Sequence, residues 1–174
     1  MPIDSSFVSI DAATIDAPAT CTLDAPDAVS PLGGDFVVLD PDAGFQIPAQ
    51  DGGNPIGVWR GEHVTIFARG DFDASASRVS GTAWVVVSAS EVQLSFALDL
   101  EVVSSAGTTM HHDALALRGP YTTRGTTIHV AAGCGAPALD IDFTSGDSSG
   151  TLLSSTTGTL GAETLLLHCE RTSS

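Results

Sequence analysis

Five histidines and 21 acidic residues are the chain's main stock of groups able to move protons or hold ions, and one stretch, Met110-His111-His112-Asp113, crowds them together. In an extended strand alternate residues share a face, so His111 and Asp113 lie on one side with Leu115, Leu117 and Tyr121. If that side faces inward, an imidazole, a carboxylate and a phenol line one stripe of an interior, where they could hold a polar ligand head or exchange protons. The opposite register puts Met110, His112 and Ala114 inside and leaves His111 and Asp113 in water near a strand end; the spacing alone leaves both open. His63, His129 and His168 fall opposite the apolar parity set by Val64, Ile66, Ile128, Val130, Leu165 and Leu167 and are expected outside. No His, Cys or carboxylate spacing matches a zinc or haem centre, so neither a metal nor a cofactor is expected. The pairs Asp40/Asp42, Asp71/Asp73 and Asp140/Asp142 do not continue into a calcium loop. No Gly-x-Ser-x-Gly elbow occurs, and a Ser-x-x-Lys pair is impossible in a chain without lysine. No residue is therefore assigned a catalytic role.

The large rings on predicted strands are Trp59, Trp84 and Tyr121, with Phe96 on the strongest strand. They are either core plugs or a wall for an apolar ligand. Trp59, Trp84, Phe96, His111, Asp113 and Tyr121 form the candidate ligand-binding set. The three cysteines, Cys21, Cys134 and Cys169, contain no CxxC pair. Cys134 and Cys169 flank the last predicted strands and are expected to form a disulfide, which leaves Cys21 free or joined to a second chain. Three free thiols in a reducing compartment are the other reading.

What positions these residues is a set of short strands. Glu91 to Val102 alternates strictly, with Val92, Leu94, Phe96, Leu98, Leu100 and Val102 on one side and mainly polar residues on the other, which predicts a long strand with one wet face. Further strands are predicted over 56–59, 63–69, 79–88, 109–117, 121–131 with a break at Arg124-Gly125, 138–143, 151–154 and 159–168, with Gly119-Pro120 read as a turn. Strands at roughly ten-residue spacing predict an all-β domain over 54–174, an antiparallel up-and-down β-barrel of about 8 to 10 strands, with a β-sandwich as the alternative. Residues 1–53 hold nine aspartates and the recurrence Ser-Ile-Asp-Ala-Ala, Thr-Ile-Asp-Ala-Pro, Thr-Leu-Asp-Ala-Pro. They read as an acidic, largely irregular tether with one possible strand at 36–39.

At 174 residues and a net charge of -15, with six arginines as its only strong cations, the chain has length for one core and charge that opposes nucleic acid and anionic membranes. No run approaches the roughly 18 to 20 apolar residues that would insert in a bilayer, and Met1 to Ile10 has neither the basic nor the apolar region of an export signal.

Gly57-Val58-Trp59 at the first strong strand and the hairpin Tyr121-Thr122-Thr123-Arg124-Gly125-Thr126-Thr127-Ile128, echoed by Phe143-Thr144-Ser145-Gly146 leading into Thr151-Leu152-Leu153, carry a resemblance. Over about residues 56–170 the chain resembles the lipocalin-like (calycin-type) β-barrel domains of small secreted bacterial proteins, and its Asp-Ala-Pro spacer resembles lipoprotein linkers. The resemblance implies a ligand-holding barrel whose tryptophan closes the base under an arginine of the last strand, a part that falls to Arg171. The expectation is a non-catalytic, secreted or envelope-exposed barrel that binds a small apolar or amphipathic molecule, or serves as a structural envelope protein. A carbohydrate-binding or adhesion sandwich and a barrel enzyme with a His111/Asp113 acid-base pair are the alternatives.

Overall fold

The alternation over Glu91–Val102 produces β4 (Glu91–Ser104), whose apolar set turns inward and whose Asp99 and Glu101 stay in solvent. The computed structural model describes residues 21–27, 29–39, 47–134, 137–158 and 160–172, and only the backbone of 156–158. Before β4 come β1 (Leu32–Val38), β2 (Gly57–Ala68) and β3 (Arg78–Val87). After it come β5 (Gly107–Arg124), β6 (Thr127–Val130), β7 (Leu139–Ser145), β8 (Ser149–Gly158) and β9 (Gly161–Thr172). From β2 to β9 each strand pairs antiparallel with the next, and β9 pairs back onto β2 through Val64↔Leu167 and Ile66↔Leu165. The result is an all-β, nine-stranded sheet in a ring, with no helix among the described residues and so none to cross a membrane.

The ninth strand is the departure from a simple meander. At the Gly61/His63 bulge one extra residue bends β2, so that β2 and β3 pair only through Gly57–Arg60 and then part. The strand expected at 36–39 runs instead from Leu32 to Val38 and fills this wedge, parallel to β2 and antiparallel to β3. Gly34 is required there, because a Cβ would stand 2.2 Å from the Val64 carbonyl oxygen. Thr22 and Asp24 also bond to the ring, as do Gln50 and Asp51, and Gly52 is bridged to Thr144. Residues 1–20, with most of the acidic repeat, and Asp40 and Asp42 lie outside the described residues.

Gly119-Pro120 is no turn: β5 runs through it, leaving its pairing with β4 at Glu91↔Pro120 and taking up β6 from Tyr121. A proline is tolerated where a strand changes neighbours, since the missing N–H costs least there. Inside the ring two apolar clusters form. Leu32, Phe36, Ile66, Leu98, Leu100 and Phe72 fill the end holding β1, with Phe36 and Phe72 meeting edge to face at 5.7 Å. Trp59, Val85, Val92, Leu117, Ile128 and Phe143 fill the other end.

Candidate functional site

Between the two clusters the inward side chains do not meet, and a cavity of about 80 Å³ remains. Its wall is formed by Leu94, Phe96 and Leu98 of β4, Leu115 of β5, Ile141 of β7 and Leu165 of β9, with Ser154 of β8 as the one polar residue. That volume exceeds the roughly 10 to 15 Å³ that admits one water. It falls well short of the roughly 300 to 1,000 Å³ of pockets that enclose drug-sized ligands. A slender apolar chain fits such a space and a fused-ring molecule does not.

The wall has a thin side. β6 is only four residues long, so β5 has no described strand partner opposite β4 over 108–117, and the β7–β8 pairing stops at Leu153. The half-buried Leu115, Leu139 and Ser154 lie along this gap and also line the cavity.

Only part of the sequence-derived set meets at the cavity. Phe96 lines it. His111 and Asp113 face inward, opposite Leu100 and Leu98, one layer beyond the cavity; His111 Nε2 is 2.9 Å from Thr109 Oγ1. The other register fails: Met110 is exposed, and His112 is outside, 2.9 Å from Asp99. Tyr121 shares the inward face but sits eight residues along β5 from Asp113, about 26 Å. It packs on the second cluster and donates to the Ser88 carbonyl at 2.9 Å, so it cannot act with His111 and Asp113.

Trp59 packs in the second cluster, at the far end of the ring from β1. It is 4% exposed, its Nε1 donates to the Pro55 carbonyl at 2.7 Å, and the Arg171 guanidinium lies 4.4 Å over its ring. Arg171 in turn donates to the Asn54 carbonyl at 2.9 Å. Trp84 is not an interior residue. Ala83, Val85 and Val87 point inward, which turns Trp84 to the outer face opposite Arg60 and Ser95, where it is nonetheless 6% exposed.

The expected Cys134–Cys169 disulfide is corrected: Cys21 is bonded to Cys134, and Cys169 is free and buried. Cys169 lies on the inner face of β9 opposite Gly61, within the second cluster, where burial pushes its thiol pKa up to about 12. Cys21 reaches Cys134 because residues 21–27 run along the outside of β4 and β5. There Asp24 N donates to Gln93 Oε1 at 2.8 Å and Arg118 is 3.2 Å from the Asp24 carboxylate. Cys21 thus has no free thiol for a second chain. The Asp pairs are engaged elsewhere: Asp71 accepts from Ser105, Asp73 caps the turn through Ser75 and Ala76, Asp140 meets His129 and Asp142 meets Thr127.

One rim residue went unread. Glu163 faces inward opposite Ala68, is 3% exposed and accepts from Leu160 N. Burial holds its carboxyl above the ordinary range; the Asp113 charge adds to this, while the Leu160 hydrogen bond and the nearby His111 oppose it. Its parity with Leu165 and Leu167 was the available signal. Glu163, Asp113 and His111 therefore share one electrostatic neighbourhood beside the cavity, although among the described residues no three such side chains converge on a metal position.

Because the folded protein holds the Glu163 proton more tightly than the unfolded chain, this group's contribution to stability is complete below the unfolded carboxyl value. It is lost as pH rises through the higher folded value. Glu163→Gln keeps an acceptor for Leu160 N and removes the buried charge. The variant should gain in urea midpoint over the native protein at neutral pH and lose that advantage in acid; an advantage equal at both pH values would refute the assignment.

Comparison with protein-family models, with curated proteins and with solved structures yields no match to this chain.

Proposed function

We propose that the ring is a lipocalin-like β-barrel that binds a slender apolar or amphipathic molecule outside the cytoplasm and does no chemistry on it. The observation that carries this reading is the cavity of about 80 Å³ between the strands, apolar except for Ser154. Two further features support it. Arg171 lies over the Trp59 ring, a contact of the kind that a lipocalin-like base closure would use. The Cys21–Cys134 bond suits an oxidising compartment. The smallness of the cavity favours a second reading, a structural envelope domain whose interior is simply imperfectly filled.

Thermal unfolding in the presence of n-alkanols of increasing length separates the two, and the neutrality of these probes avoids repulsion by the -15 charge. For a binding barrel, alkanols of medium chain length raise the melting temperature in a saturable way. Ser154→Leu, which fills the cavity, should weaken alkanol binding by about tenfold, or about 1.4 kcal/mol. Alkanols that leave the melting temperature unchanged, or that act equally on Ser154→Leu, would leave the structural reading.

A further inference from the structure

The outer face of β1, β2 and β9 brings together three groups that the cavity does not use. The register sets His63 of β2 opposite His168 of β9, and the bulge at Gly61/His63 turns His63 outward. The two imidazole centroids are 6.1 Å apart, with the ring planes at 54°. Asp35 of β1 reaches the same spot, its Oδ2 3.2 Å from His63 Nε2. Three neighbouring strands thus each contribute one ligating side chain.

The spacing suits a shared ion. With metal–nitrogen and metal–oxygen bonds of about 2.0 to 2.2 Å, a nitrogen and an oxygen on one tetrahedral ion stand about 3.4 Å apart, and two bound imidazoles have centroids roughly 5 to 6 Å apart. The observed 3.2 Å and 6.1 Å fall close to both. Solvent reaches the site, since the His63 and Asp35 side chains are 42% and 72% exposed. Arg60, on the same strand as His63, is already paired with Glu170 and Glu62.

We infer that this face holds one divalent transition-metal ion of the zinc or copper type through His63, His168 and Asp35, with water completing the shell. No three ligating groups among the described residues already converge on one point, so the His168 ring must turn about its side-chain torsions toward the Asp35–His63 pair. For an exposed residue that motion is fast. Imidazole and carboxylate ligands select zinc, copper or nickel over calcium, which prefers six or more oxygens. The site is on the outside of the ring and stands whether or not the cavity binds a ligand.

The chain offers its own controls, because His112–Asp99 at 2.9 Å and His129–Asp140 are outward His–Asp pairs without a second imidazole. Calorimetric titration of the chelator-treated, folded chain with zinc chloride should show one ion per chain. His63→Ala and His168→Ala should each weaken it by at least about tenfold, and Asp35→Asn should weaken it less. A His112→Ala/His129→Ala double variant should bind as the native chain does, and calcium chloride should not compete. With cupric ion, electron paramagnetic resonance should report two bound nitrogens, reduced to one in His168→Ala. Absence of saturable zinc binding, survival of binding in His168→Ala, equal loss in the control variant, or competition by calcium would each overturn the site; circular dichroism confirms that every variant is folded.

Discussion

Trp59→Ala should lower the stability of the ring by about 3 to 5 kcal/mol, the range for emptying a buried large aromatic. Three losses combine: the ring's packing in the second cluster, the Nε1–H bond to Pro55, and the face on which Arg171 lies. Trp59→Phe keeps most of the packing and should cost about 1 to 2 kcal/mol, chiefly for the Pro55 carbonyl left without its donor. Urea unfolding of the two variants checks both values. A cost for Trp59→Ala near that of an exposed substitution, within about 0.5 kcal/mol, would mean that the tryptophan is not packed in the second cluster.

Removing the disulfide should rank beside it. The Cys21–Cys134 bond closes a loop of 113 residues, for which chain entropy alone gives about 4.8 kcal/mol, and native disulfides of small domains typically contribute about 2 to 5 kcal/mol. The Cys21→Ser/Cys134→Ser protein should therefore unfold at markedly lower urea, while Cys169→Ser, which changes a buried thiol with no partner sulfur, should show a much smaller effect. Alkylation without reductant gives an independent reading of the pairing. In native buffer Cys169 should resist, being buried with its thiol pushed up to about 12, and in urea it should be the single cysteine labelled. Labelling of Cys21 would return the assignment to Cys134–Cys169.

The parts of this architecture that a sequence can carry are those with a local period. Glu91–Val102 alternates over twelve residues and became the long β4; the shared parity of His111, Asp113, Leu115 and Tyr121 was legible, but which of the two faces turned inward was not. Trp84 was misplaced because Ala83–Val87 is apolar throughout, so no polar residue marked which side was wet. The wedge of β1 depends on a bulge in β2, a one-residue change of register between distant segments that leaves no pattern in either. The cysteines were paired by their closeness in sequence to the last strands. Their actual partners follow from the path of residues 21–27 over Gln93 and Arg118, a tertiary matter.

The candidate site divides in the same way. Phe96 was legible as a lining residue and Glu163 was legible in principle, through the parity of β9. Tyr121 was grouped with His111 and Asp113 because a shared face says nothing of separation along an 18-residue strand. The His63–His168–Asp35 grouping draws on three strands far apart in the chain, so only register could reveal it.

Everything functional rests on strands that close around a small dry space. A crystal of the native chain held under xenon pressure tests that most directly, since apolar cavities of this kind take up the gas. A xenon atom should appear between Leu94, Phe96 and Leu165, with β2 still paired to β9 through Val64 and Leu167. An interior without xenon, or β2 and β9 unpaired in the electron density, would contradict it.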